Sequence, residues 1–143
     1  MSKSDYLKAD AANSQSQPDT NRSHSCITYF YAIGEDFANE FIKELRLDEG
    51  FVKITERGVK VGFNEDDSVN INDMYRKTLR RLLNKTELLS SLRERFDLEY
   101  FLIAIPELES ESKKPLPILS LDDDIIEFLY LTKTHHDLDV YLY

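Results

Sequence analysis

The sequence predicts an α+β fold in which helices cover mainly one face of an antiparallel or mixed sheet. Two runs, 26–33 and 98–105, are apolar on both alternating faces, as strands in the middle of a sheet must be. Other stretches carry apolar residues at helical spacing, and the resulting element order is β-α-β-β-α-α-β-α-β. With 143 residues, 41% of them hydrophobic, the chain can bury the core of one domain and is too short for two of ordinary size.

The first strand is Cys26-Ile-Thr-Tyr-Phe-Tyr-Ala-Ile33, β-branched and aromatic throughout, and Gly34 ends it. Glu35 or Asp36 then opens a helix with Phe37, Phe41, Ile42 and Leu45 on one stripe, closed by Gly50. Phe51 to Thr55 and the row Val59, Val61 and Phe63 form a hairpin around Glu56-Arg57-Gly58. Neither strand is apolar on both faces, which puts both toward a sheet edge. Gly62 inside the second predicts a bulge or a close backbone approach.

From Asn72 to Phe96 the apolar pattern changes face. Tyr75, Leu79, Leu82 and Leu83 make one stripe, while Leu88, Leu89, Leu92 and Phe96 lie roughly 100° around from it. Two helices joined near Asn84-Lys-Thr-Glu87 resolve the conflict, with Asn84 as cap. The run 98–105 is the fourth strand, ended by Pro106, which has no N–H for a central ladder. A polar loop, Glu107 to Pro117, leads to a helix opened by Ser120 and the acids Asp122, Asp123 and Asp124. Ile125, Ile126, Phe128, Leu129 and Leu131 fill that helix, and His136 to Tyr143 is the last strand.

The first six elements, with the broken helix counted once, match the split βαβ of ferredoxin-like folds, extended by the final helix and strand. The two most apolar strands become interior neighbours, with the last strand outside the fourth. Residues 1–25 are dominated by Ser, Asn, Gln, Asp and Ala and read as a disordered N-terminal tail, leaving 26–143 as a single domain.

Several of these residues carry a resemblance. Gly34-Glu-Asp-Phe37 leading into a helix that ends near Leu47, Leu92-Arg-Glu-Arg95 before a strand, Ile118-Leu-Ser-Leu121 opening a helix, and Leu138-Asp-Val-Tyr141 are similar to the bacterial domain of unknown function 4279 family. The resemblance covers about residues 27–143. Its motifs are core and turn positions, so it implies a fold; the family has no settled activity, so it implies no catalytic residue.

Charge narrows the function classes. Eighteen basic residues face 27 acidic ones, and the net charge of −9 argues against duplex DNA or an anionic membrane as partner. No stretch reaches the roughly 18 apolar residues of a membrane span, and the N-terminus lacks a secretory signal's apolar core. A single cysteine, Cys26, makes no internal disulfide and no multi-cysteine metal site, as in a reduced, cytoplasmic protein. Four glycines, none in a phosphate-loop pattern, and no G-x-S-x-G elbow leave no cofactor or nucleophile motif.

Candidate site residues are few. His135, His136, Asp137 and Asp139 are metal-ligand types, but alternation along a strand sends His136 to the face opposite the others, and a polar helix-to-strand turn explains the same letters. Arg76, Lys77, Arg80 and Arg81, with Lys85, form a basic strip that could contact an anion or, as a weaker reading, RNA; a solvated helix face is its ordinary explanation. Residues 72–95 carry seven basic and three acidic side chains, whereas 26–71 and 96–143 carry eight and 21. Such a dipolar, mostly acidic domain is suited to steering toward a basic protein. The expectation is therefore a non-catalytic inhibitor or immunity protein with Glu107, Glu109, Glu111, Asp122, Asp123 and Asp124 as contact surface, and without metal or cofactor. The alternatives are an enzyme with a small-molecule pocket at the sheet edge, and weak RNA binding. Homodimerisation through the outer strand is a further reading, because the Tyr141 and Tyr143 edge has no identified cover.

Overall fold

The computed structural model describes residues 24–67 and 70–143. The expected tail falls outside the described residues up to position 23, but His24 and Ser25 belong to the folded unit. His24 is buried and Ser25 opens the first strand.

The elements are β1 (Ser25–Ile33), α1 (Ala38–Leu45), a 3-10 turn (Glu49–Phe51), β2 (Val52–Ile54), β3 (Gly58–Asp66), α2 (Ile71–Leu79), α3 (Thr86–Phe96), β4 (Glu99–Leu108), α4 (Asp123–Thr132), β5 (His135–Leu138) and β6 (Tyr141–Leu142). The strands form one mixed sheet in the order β2-β3-β1-β4-β5, with β6 also beside β4. Neighbours from β2 to β4 are antiparallel, whereas β5 and β6 run parallel to β4. The α+β class follows, and β1 and β4 lie side by side in the interior, where strands apolar on both faces belong.

Alternation along the strands sorts their side chains into two layers. Phe30 and Ala32 of β1, with Tyr100, Leu102 and Ala104 of β4, face the helices. They meet Phe41 and Leu45 of α1, Met74, Tyr75 and Leu79 of α2, Leu89 and Leu92 of α3, and Ile125 and Phe128 of α4. Phe30 packs between Tyr100 and Phe128, with ring centroids 5.1 and 6.2 Å away. Each fully buried side chain of this size contributes about 2–3 kcal/mol of transfer free energy. The opposite layer holds Ile27, Tyr29, Tyr31, Phe101, Ile103 and Ile105.

Three features differ from the sequence reading. Pro106 does not end β4, which continues to Leu108. Pro106 faces Cys26 across β1, while the parallel ladder on the other side stops at Ala104–Leu138 and resumes at Glu107–Tyr141. The missing N–H is thus felt only by the C-terminal strand, which is split in two. The end of the first helix also differs. α1 stops at Leu45, not near Gly50, because Arg46 adopts the left-handed conformation (φ 55°); α3 ends at Phe96 as expected, and Asp97 after it and Lys133 after α4 adopt the same conformation at φ 54°. Finally, α2 and α3 are two helices as expected, but the break lies at residues 80–85, and Lys85 occupies the cap position of α3 rather than Asn84.

The bulge at Gly62 is present. Its φ is +67°, and the β1–β3 register shifts between Thr28 and Phe30. No helix of the described residues is long and apolar enough to cross a membrane.

Candidate protein-contact surface

α4 is apolar nearly all round, more than its own burial requires. Ile125, Phe128 and Thr132 face inward. Asp123, Ile126, Glu127 and Tyr130 fall on the outer face at spacings of three and four. Tyr130 is 81% exposed, Ile126 50% and Leu131 46%. The segment leading into the helix adds Leu116, Ile118 and Leu119, also exposed. Between α4 and α3 runs a groove of about 470 Å³, lined by Thr86, Glu87, Ser90, Ser91, Glu94 and Leu131. The Ser90 hydroxyl donates to the Leu131 carbonyl at 3.0 Å and joins the two helices there. The exposed side of α4 thus carries Ile126, Tyr130 and Leu131 together with the acids Asp123 and Glu127, and Glu87 and Glu94 of α3 line the groove beside Leu131.

The acids singled out from sequence divide into three groups. Glu107 and Glu109 are not presented in a polar loop: Glu107 is inside β4, and they are only 4% and 8% exposed. Ser25 donates to the Glu107 carboxylate at 3.2 Å, and the Glu109 backbone N–H donates to His24 Nδ1 at 3.0 Å. Asp122 and Asp124 lie at the surface but are held by Arg76, whose guanidinium donates to both carboxylates at 2.6 to 3.0 Å. Those hydrogen bonds hold both carboxyls below the ordinary carboxylate range, with Asn72 contributing at Asp122. Asn72 also accepts the Asp122 backbone N–H at 2.9 Å, so α2 and the start of α4 are joined twice. Glu111 and Asp123 remain exposed, and Asp123 alone of the six adjoins the apolar face of α4.

The basic strip is turned largely toward the chain itself. Besides Arg76, Lys77 pairs with Asp66 at 3.7 Å and Arg81 with Asp48 at 2.7 Å. Arg80 and Arg81 place their guanidinium groups 5.5 and 5.6 Å from the Phe51 ring centre. Lys85 donates to the Leu45 carbonyl at the end of α1. These positions neutralise acids and close a helix rather than forming an open phosphate track.

The two C-terminal histidines diverge. His135 stacks on Phe101 at 5.1 Å in the layer opposite the helices. His136 meets Tyr75 edge to face, with its Nε2 2.7 Å from the Tyr75 hydroxyl. Burial raises the Tyr75 pKa and lowers that of His136, so a protonated phenol and a neutral imidazole share this hydrogen bond. Cys26 is fully buried, and desolvation pushes its thiol up to about 12, well away from a reactive thiolate.

Sequence reasoning missed Tyr130. Its signal was present: a helix with apolar residues on most of its sides leaves some of them without a core to enter. No family model, curated protein or solved structure matches the chain.

Proposed function

We propose that the protein is a non-catalytic binding module of the inhibitor or immunity type, which engages a basic partner protein through the outer face of α4. The observation that carries this reading is Tyr130, 81% exposed, on a helix that also exposes Ile126, Leu131 and the acids Asp123 and Glu127. Exposed apolar groups with a polar rim are the usual anatomy of a contact site, and tyrosine is enriched among residues that dominate binding energy. The acidic rim supplies long-range attraction to a basic surface and sets the association rate.

The test is capture by the tagged full chain at low and moderate salt, followed by kinetics on the captured protein. The expected result is one basic protein in stoichiometric amount. Tyr130→Ala with Ile126→Ala should weaken it by about 30-fold or more, the scale of a hot-spot loss. Glu127→Lys should chiefly slow association and flatten its salt dependence. A partner bound equally by the alanine variant, or retention of RNA or a metabolite alone, would sink the reading.

A further inference from the structure

We propose that the outer edge formed by β5 and β6 binds a second copy of this chain, in an antiparallel two-fold arrangement centred on Val140. Both strands lie on the same side of β4, and among the described residues no strand pairs with their outer side. Leu138, Val140 and Leu142 are 42, 50 and 71% exposed along it. These residues are outside the α4 surface, so the contact is separate from the one proposed above.

The backbone keeps one register across the break between the two strands. Ala104 faces Leu138, Glu107 faces Tyr141 and Leu108 faces Leu142. The Asp139 N–H donates to the Ala104 carbonyl at 3.0 Å and the Tyr143 N–H to the Leu108 carbonyl at 2.8 Å, so these residues turn their backbone groups toward β4. Alternation then directs the N–H and C=O groups of Leu138, Val140 and Leu142 outward. The opposite edge of the sheet is guarded against such pairing, because β2 has three residues and carries Lys53 at its centre. Residues 135–143 contain no Lys, Arg or Pro that would do the same.

A second copy is the occupant because the segment Asp137-Leu-Asp-Val-Tyr-Leu-Tyr143 is complementary to itself about Val140. Laid antiparallel on its own copy, Val140 meets Val140, Leu138 meets Leu142, Asp139 meets Tyr141 and Asp137 meets Tyr143. The valine and leucine pairs are the ones whose backbone groups point across, and they exchange about six hydrogen bonds. Their side chains share one face and form an apolar strip that continues from copy to copy. On the other face each carboxylate lies opposite a phenol. Centring the pair on Leu138 or Asp139 sets carboxylates directly opposite each other, which is unfavourable. Centring it on Tyr141 or Leu142 gives up the Leu138–Leu142 pairing. The contact is the same patch on both copies, so it closes at a dimer, and its short length places it at the weak end of specific interfaces.

The experiment is sedimentation velocity of the full chain over about a hundredfold range of concentration, at low and moderate salt. A monomer passing to a dimer and no further is expected, with added salt favouring the dimer because each copy carries a net charge of −9. Val140→Lys sets like charges against each other on the axis and should weaken self-association about tenfold or more, as should Val140→Glu. An equal mixture of the two variants should recover the dimer, since lysine then meets glutamate there. The Val140 side chain is half exposed, so both variants should melt like the parent, and that is measured alongside. A monomer at every concentration, a dimer untouched by either charge, or no recovery in the mixture of folded variants would overturn the proposal. A dimer abolished by Tyr130→Ala but not by Val140→Lys would overturn it as well, by placing the contact on α4.

Discussion

The Thr78 hydroxyl donates to the Gly62 carbonyl oxygen at 2.9 Å, across a contact so close that a Cβ on Gly62 would lie 2.2 Å from the Thr78 carbonyl oxygen. Thr28 joins the same group, its hydroxyl 2.9 Å from that of Thr78. The bulge of β3, the irregular point of β1 and the third turn of α2 are therefore one junction, closed by a single threonine. Gly62→Ala meets both a positive φ and a backbone clash, and should destabilise by about 3 kcal/mol or more. Thr78→Val keeps the shape but leaves buried oxygens without a donor, and should cost about 1–3 kcal/mol. Urea denaturation of the two variants checks the order, and an alanine at position 62 costing less than the valine would contradict it.

Glycine should do the opposite where three helices end. Arg46, Asp97 and Lys133 are all exposed and all left-handed, a conformation that strains a residue bearing a Cβ. Arg46→Gly, Asp97→Gly and Lys133→Gly should each raise stability by about 0.5–1 kcal/mol. Thermal melts of the single variants and the triple variant decide this, with near-additive gains expected because the sites are on separate helices.

The Tyr75–His136 pair predicts a pH dependence with a definite sign. The His136 pKa is lowered in the folded protein by desolvation, so the unfolded chain binds the proton more readily. Its contribution is complete above the unfolded value of 6.5 and is lost as the pH falls below it toward the lower folded value. Stability should therefore rise with pH through this window, and His136→Gln should flatten that part of the profile. A profile unchanged by the substitution would show that His136 does not carry it.

How much of this was legible in the sequence depends on the range of the interaction responsible. β1 and β4 were legible because burial on both faces writes itself into consecutive residues. The change of apolar stripe between Leu83 and Leu88 likewise announced two helices. The end of α1 was hidden, because Arg46 stands where glycine would have marked the stop, whereas the end of α3 at Phe96 was legible from the apolar strand run that follows it. Pro106 misled because its rule concerns an N–H, and a strand with different partners on its two sides can lack one toward a single neighbour. At the candidate surface the acidic bias was readable but its location was not. Asp122 and Asp124 are tied to a guanidinium 46 and 48 residues earlier, and no local pattern reports such a pairing. The burial of Lys60 under aromatic rings was equally invisible, since those rings come from another strand.

The central position of β1 bears on how the chain reaches this structure. Its first residue, Ser25, lies opposite Glu107, 82 positions later, so the first strand of the described residues waits longest for its second neighbour during synthesis. Such distant pairing slows folding relative to a helical protein of the same length. Until β4 arrives, a nascent segment apolar on both faces stays open to other chains, and the hazard of aggregation is concentrated in synthesis rather than in the finished molecule.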